Sequence, residues 1–365
     1  MAARLRIGVI GCGLIAQVMH LPYLRELSDR FEIAALCDLS RRLLEILGDA
    51  YGVPAERRYQ RWEDLVEAPL DAVMVLTSGS HAPAAIAAAG LKRHLFVEKP
   101  MCFSAAEGEA MVAAARAAGV RLVVGYMKRY DPAFERLLQE LPALQDLRLV
   151  RATTLESPLQ PYVAHYPLHK GGDLDPRVLE RLRADDEARL DAALGRVSPL
   201  ARSTYRWVLL DSLVHELNLL RGALGEPDGL EFSDLRERGV TVVFRFGAAQ
   251  CVLSWVDLQD GIARYRQEFC FYSPERRLTL ALPSPFLRSM PTLLQIEGGA
   301  VGEPGSWQTE EITAFDEAFK RELVAFYEHV TRDAPTRNPG EDGTRDVALC
   351  QAIVAAHEAR VAATT

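Results

Sequence analysis

Short apolar runs and polar breaks alternate with a steady rhythm through the first third of the chain. Residues 6–10, 31–37, 70–76, 94–98 and 121–126 are mostly apolar, the pattern of strands buried on both faces. Helical periodicity fills the gaps, over residues 14–19, 40–51, a turn at 62–65, a segment opening near Pro83, and the Ala-rich stretch 104–118. Strand–helix alternation predicts a parallel, doubly wound sheet through about residue 126. The pattern then changes. Residues 131–140 read as a helix and 147–155 as an alternating strand. Residues 157–206 are rich in Pro, His and Tyr at first and then charged and helical over 176–194, which reads as an insertion, a lid or a subunit contact. Residues 208–224 predict one amphipathic helix. Runs at 240–246, 250–256, 265–272 and 277–282 predict four strands of an antiparallel sheet. Residues 315–331 and 343–362 close the chain as helices.

The 365 residues suggest two domains, and a 49% hydrophobic content is enough for substantial cores. The expected division is a dinucleotide-binding domain over 1–126, a substrate and oligomerisation domain over 127–340 that carries the insertion, and a C-terminal helix over 341–365 packing back on the core. No run of eighteen apolar residues calls for a membrane span, and no signal-peptide pattern opens the chain. The six Cys are scattered without a C-x-x-C pair, so buried thiols in a reducing cytoplasm are expected and a metal site is not. A net charge of −8 argues against non-specific nucleic-acid binding.

Candidate chemistry begins where the first strand breaks. Gly11-Cys12-Gly13-Leu14-Ile15-Ala16 has G-x-G-x-x-A spacing between a strand and a helix. Gly11 permits the turn, Gly13 lets the backbone approach a pyrophosphate, and Ala16 allows close helix–strand packing. The N–H groups at Leu14 and Ile15 open the helix toward phosphates. Asp38 ends the second strand, where an acid accepts from both ribose hydroxyls. The plainer alternative is a tight turn and a helix cap. Ser40 and Arg41 follow at once and offer an alternative grip on a 2′-phosphate, so the cofactor expected is NAD, with NADP as the alternative.

Other polar residues stand at strand ends or on helices. Lys99, in Glu98-Lys99-Pro100, ends a parallel strand on the side where ligands lie, and a cis bond before Pro100 is compatible with it. Asp211 and His215 share one face of a predicted helix by their four-residue spacing, and His is suited to take a proton near neutral pH. His215-Glu216 lacks the second His of a zinc-protease motif. His81 stands a few residues past a strand end, beside a nicotinamide or simply at a helix start. Tyr126, Lys128 and Arg129 lie at the domain junction, a common place for ligands. Tyr162, His165, Tyr166 and His169 either reach a substrate pocket or fill loop interfaces.

Together, IGVIGCGLIA from Ile7, CDLS from Cys37, TSGSH from Thr77, VEKP from Val97, GYMKRYDPAF from Gly125, DSLVHELN from Asp211 and the closing helix from Pro339 resemble the glucose–fructose oxidoreductase, inositol dehydrogenase and MocA family. The likeness covers nearly the whole chain except about 157–206. It implies an N-terminal Rossmann domain and a C-terminal α/β domain with a large, open, mostly antiparallel sheet that mediates homodimers or homotetramers. It also implies hydride transfer between a nicotinamide and a sugar-, cyclitol- or nucleotide-sugar-like carbinol. By the same resemblance Lys99, Asp211 and His215 are catalytic, and Gly11, Gly13, Ala16, Asp38, Thr77, His81 and Glu98 lie on the cofactor side. His215 then takes the hydroxyl proton while Lys99 hydrogen-bonds the same oxygen. The family helix often carries a Gly and a second Asp where this chain has Leu213 and Asn218. Rival readings are a redox-neutral epimerase, lyase or glycosidase using bound NAD transiently, and a cofactor-sensing binding protein.

Overall fold

A computed structural model describes residues 4–299, 302 and 304–363. The chain forms two units that are interleaved in sequence. Unit 1 comprises Met1–Tyr126, Tyr166–Arg196 and Phe319–Ala348, and unit 2 comprises Met127–His165, Val197–Ala318 and Leu349–Thr365.

Unit 1 is built on six parallel strands: β1 (Leu5–Ile10), β2 (Phe31–Cys37), β3 (Arg58–Tyr59), β4 (Ala72–Val75), β5 (His94–Glu98) and β6 (Leu122–Gly125). Their order is β3-β2-β1-β4-β5-β6, and every neighbouring pair is parallel. The order reverses between β1 and β4, and in such sheets the carboxyl ends flanking the reversal face the ligand crevice. Ile7, Val9, Val73, Met74, Phe96 and Val97 are shut off from solvent. These strands carry few polar positions because helices cover both faces. The connecting helices are Leu21–Glu26, Arg41–Tyr51, Trp62–Val66, Ala82–Gly90 and Ala105–Ala118. Ser40 and Ser104 cap two of them by accepting from Leu43 and Glu107 N–H, which satisfies otherwise orphaned donors.

Two later segments return to this unit. Val124 N–H donates to Asn338 O at 3.0 Å, and the Asn338 side-chain amide donates to Tyr126 O at 2.9 Å. The helices Ala318–Arg332 and Gly340–Ala362 flank that junction. The insertion supplies the third piece, with its helix at Pro176–Leu194.

Unit 2 is an eight-stranded sheet: β7 (Leu149–Glu156), β8 (Gly229–Arg236), β9 (Gly239–Phe246), β10 (Ala249–Asp257), β11 (Arg266–Tyr272), β12 (Arg276–Leu282), β13 (Leu293–Gly299) and β14 (Ser306–Ile312). The order is β14-β13-β12-β11-β7-β10-β9-β8, antiparallel except where β7 meets β10. One face is dry, with Val150, Ala152, Val242, Leu253, Phe269, Phe271, Leu278 and Leu280 buried. The alternate positions on the opposite face are half-exposed.

Two helices expected from the sequence are wound differently. Residues 16–20 form a π-helical turn, Ala16–His20, before Leu21–Glu26. The expected 208–224 helix is a π-helical stretch, Tyr205–Leu213, continued by the α-helix Val214–Leu224. Apolar spacing cannot separate the two windings over so few turns. The four-residue spacing of Asp211 and His215 presumes an α-helix, whereas the backbone is π-wound through Leu213, with hydrogen bonds running i→i+5, before α winding resumes at Val214.

Candidate functional site

The glycine turn of unit 1 has the geometry its sequence implies. Gly11 has φ +94°, and a Cβ there would sit 2.8 Å from Thr77 N and 2.9 Å from Leu76 C. Only glycine fits that backbone. Its N–H donates to Cys37 O at 2.8 Å, tying the turn to the end of β2. Gly13 is the opposite case: a Cβ would meet no atom within 4 Å, so its backbone faces open space. Leu14 and Ile15 follow, and Ala16 is fully buried.

Asp38 completes the turn. One carboxylate oxygen accepts from Cys12 N–H at 2.8 Å and the other from Ser40 N–H at 2.8 Å. Each oxygen keeps a second lone pair. Asp38 therefore braces the glycine turn and keeps acceptor capacity beside it. Ser40 is fully buried. Arg41 lies on the helix surface, its Nε 3.1 Å from Glu45.

Thr77 and His81 lie past the end of β4, while Glu98 is the last residue of β5 and Lys99 follows it. His81 is 1% exposed, with Nε2 2.6 Å from Thr77 O. Burial lowers its pKa despite the Thr77 carbonyl, so the ring is neutral near pH 7. Lys99 is half-buried and is joined to Pro100 by a cis peptide bond. Glu98 turns inward: Oε1 lies 2.6 Å from His20 Nε2, and Oε2 accepts from Lys99 N–H at 3.0 Å. Gly125 allows this approach, since a Cβ there would stand 3.2 Å from the Glu98 carboxyl carbon.

Behind this pair lies Glu322, which the sequence reading does not single out. It is 1% exposed, and neither carboxyl oxygen has a hydrogen-bond partner among the described residues. Oxygen and nitrogen atoms of His20, Glu98 and Glu322 lie within 4.8 Å of one another. Phe96 and Phe319 pack edge-on to the His20 ring at 5.4 and 5.8 Å. Burial pushes the Glu322 carboxyl well above its ordinary range, and the Glu98 charge adds to that. Burial also raises Glu98, but the His20 hydrogen bond and charge, with Lys99, outweigh it and hold Glu98 low. The two carboxyls are thus driven apart, Glu98 toward the ionised form and Glu322 toward the protonated one.

In unit 2, Asp211 is exposed and His215 half-buried. The next residue, Glu216, is fully buried; it accepts from Thr154 Oγ1 at 2.5 Å and from the Gln267 amide. Glu156 stands at the end of β7, where burial raises its carboxyl; the Glu216 charge adds to that, while Trp255 and Lys128 oppose it. Lys128 is 6% exposed. Arg129 Nε donates to Asn218 O and Oδ1, both at 3.0 Å. Asn218, which departs from the family pattern, thus holds an arginine in place. Tyr126, in unit 1, is 1% exposed and lies in the interior. Tyr162 belongs to the loop-filling alternative: its hydroxyl accepts from Tyr265 N–H at 2.6 Å and lies 3.3 Å from Ala263 O.

Among the described residues no helix is long and apolar enough to cross a membrane. A family model described as "Oxidoreductase family, NAD-binding Rossmann fold" (GFO_IDH_MocA) matches residues 5–126. The myo-inositol 2-dehydrogenase of Thermotoga maritima is 28% identical over 241 residues, covering 61% of this chain and 68% of its own. An inositol 2-dehydrogenase of Paracoccus denitrificans is 28% identical over 364 residues, covering 97% of this chain and 94% of its own. The fold is shared with KijD10, a 3-ketoreductase from Actinomadura kijaniata solved with TDP-benzene and NADP, at TM-score 0.73 and 20% identity over 97% of this chain and 98% of that one. The family match on the glycine turn and the dehydrogenase relatives along the rest of the chain support one assignment: residues 5–126 belong to the NAD-binding Rossmann fold of the Gfo/Idh/MocA oxidoreductase family.

Proposed function

We propose that this oxidoreductase acts on a secondary alcohol, or the matching ketone, of a cyclitol, sugar or nucleotide sugar, with NAD as the preferred cofactor. The observation that carries the reading is the turn in unit 1. Gly13 opens to empty space, and Asp38 braces the turn while keeping acceptor lone pairs beside it. These residues fit a dinucleotide: Gly13 admits the pyrophosphate, N–H groups at Leu14 and Ile15 face it, and Asp38 accepts from the ribose.

When bound, the nicotinamide supplies the hydride acceptor at C4, or the donor in the reverse direction. Lys99 donates from Nζ to the substrate oxygen and stabilises negative charge as it develops there. His215 takes the hydroxyl proton on an imidazole nitrogen during oxidation and returns it during reduction. Asp211 orients the substrate or the His215 ring. Thr77, His81 and Glu98 shape the cofactor side, and Tyr126, Lys128 and Arg129 the substrate side. The half-exposed face of the unit 2 sheet joins copies of the chain into a homodimer or homotetramer.

The test is turnover on a panel of cyclitols, free sugars and nucleotide sugars, read as NADH formed or consumed. On whichever substrate turns over, Lys99→Ala and His215→Ala should each lower kcat at least about a hundredfold with NAD affinity unchanged. Near-normal turnover by either variant removes that residue from the mechanism.

A further inference from the structure

Residues 166–196 of the insertion, its helix included, belong to unit 1, and they touch Gln17, Ser40 and Gly79, which follow the carboxyl ends of β1, β2 and β4. His169 forms a two-bond clasp with Gln17, just after the glycine turn. His169 N–H donates to Gln17 Oε1 at 2.9 Å, and the Gln17 amide donates to His169 O at 3.0 Å and to Cys12 O at 2.8 Å. Gly171 then passes so close to Ser40 that a Cβ on it would lie 2.7 Å from the Ser40 Cβ. Further on, Asp186 of the insertion helix crowds Gly79, and Arg189 pairs with Glu107 at 2.6 Å.

Between the clasp and the helix stands Asp173. Its carboxylate accepts from the Ser40 hydroxyl and from Arg42 N–H at 3.0 Å. It is therefore seated on the N-terminus of the eleven-residue helix Arg41–Tyr51, where unpaired N–H groups and the helix dipole favour an anion. Those hydrogen bonds also lower its pKa, so it is ionised at neutral pH. Asp38 is two residues before Ser40 and bonds Ser40 N–H. In a dinucleotide fold the acid at this strand end marks the ribose 2′ position, and a 2′-phosphate lies just beyond it.

We propose that Asp173 is a cofactor-specificity residue: lent by the insertion, its carboxylate fills the anion position at Ser40 and Arg42 and excludes the 2′-phosphate of NADP. This rests on the dinucleotide reading of the glycine turn. Two carboxylates, Asp38 and Asp173, then flank the place a phosphate would take. Arg41, one cation that could offset them, is directed along its own helix to Glu45.

Calorimetric titration of the full chain with NAD and with NADP, without substrate, tests the proposal. The unsubstituted chain should bind NAD at least tenfold more tightly than NADP. Asp173→Asn keeps an acceptor oxygen for the helix and removes the charge. It should tighten NADP at least tenfold and leave NAD within about threefold. Asp173→Ala should move the preference in the same direction. A ratio unchanged in both variants overturns the proposal, as does equal weakening of both cofactors, which would make Asp173 a brace for the insertion. Preference for NADP in the unsubstituted chain also overturns it. Failure of the unsubstituted chain to bind either cofactor would instead strike the dinucleotide reading itself.

Discussion

Glu322→Gln probes the buried cluster behind Lys99 through the pH dependence of stability. Burial first, and then the Glu98 charge, raise the Glu322 carboxyl well above its ordinary value of 4.5. The folded chain thus keeps a proton on Glu322 at pH values where the unfolded chain has released it. Stability changes by about 1.4 kcal/mol per pH unit for each proton by which the two states differ. The folded state binds more here, so this contribution declines as pH rises from 4.5 toward the folded-state value and then levels off. Glu98 has the opposite sign. Its carboxyl is held low against burial by His20, so its contribution is present above the ordinary value and is lost as pH falls through the folded one. From pH 5 to 7 Glu98 is mostly ionised in both states, and of the two acids Glu322 carries most of the change. Gln has nearly the same shape, carries a donor and does not titrate. Relative to the unsubstituted chain, Glu322→Gln should gain stability with rising pH between pH 5 and 7, by no more than about 3 kcal/mol, the ceiling set by a full proton's difference over two pH units. Urea unfolding followed by circular dichroism at pH 5, 6 and 7 measures it, and groups distant from Glu322 cancel in the difference. Parallel profiles would refute the reasoning, because they would mean that Glu322 ionises in the folded chain as it does in the unfolded one.

Gly13→Val should abolish NAD binding by calorimetry and leave the thermal midpoint nearly unchanged, since a Cβ there meets no protein atom within 4 Å; retained affinity would move the pyrophosphate elsewhere. Cys270→Arg places a bulky charge in the middle of the half-exposed face of the unit 2 sheet. Sedimentation should show a dimer or tetramer for the unsubstituted chain and a monomer for the variant, and an unaltered mass would exclude that face as the interface.

How much of this was legible in the sequence depends on how far each feature reaches along the chain. The turn at Gly11 and Gly13 is set by a few consecutive residues, and the parallel strands announce themselves because burial on both faces leaves continuous apolar runs. Three strands of the second sheet give weaker signals. Almost every residue of Ser306–Ile312 is exposed, so that edge strand has no alternation to detect. Gly229–Arg236 mixes exposed and half-buried positions over its first half, and a register shift interrupts its pairing. Leu293–Gly299 does alternate, but its polar Gln295 and Glu297 and terminal glycines dilute a seven-residue run. The parallel pairing of β7 with β10 is a choice of partner, which no local pattern records.

The polar clusters show the same limit more sharply. The sequence marks Glu98 as a strand-end acid, which suggests a group facing ligand. What turns it inward is His20 on one side and a glycine, Gly125, leaving room on the other. Neither is near it in the chain. Glu322 sits on a helix whose apolar stripe predicts only that one face is buried, and an acid within that face reads as an exception until Glu98 is found opposite it. Ser40 is recognisable as a helix cap from three residues of context, and it does cap that helix by accepting from Leu43 N–H. Its hydroxyl proton goes to Asp173, 133 residues away, in a stretch that composition alone marks as an insertion. Cofactor choice is therefore the property least readable from the β2 end of the chain. Asp38, Ser40 and Arg41 supply conflicting local arguments, and on the proposal made here the balance among them is set by a carboxylate that none of their neighbours in sequence foretells.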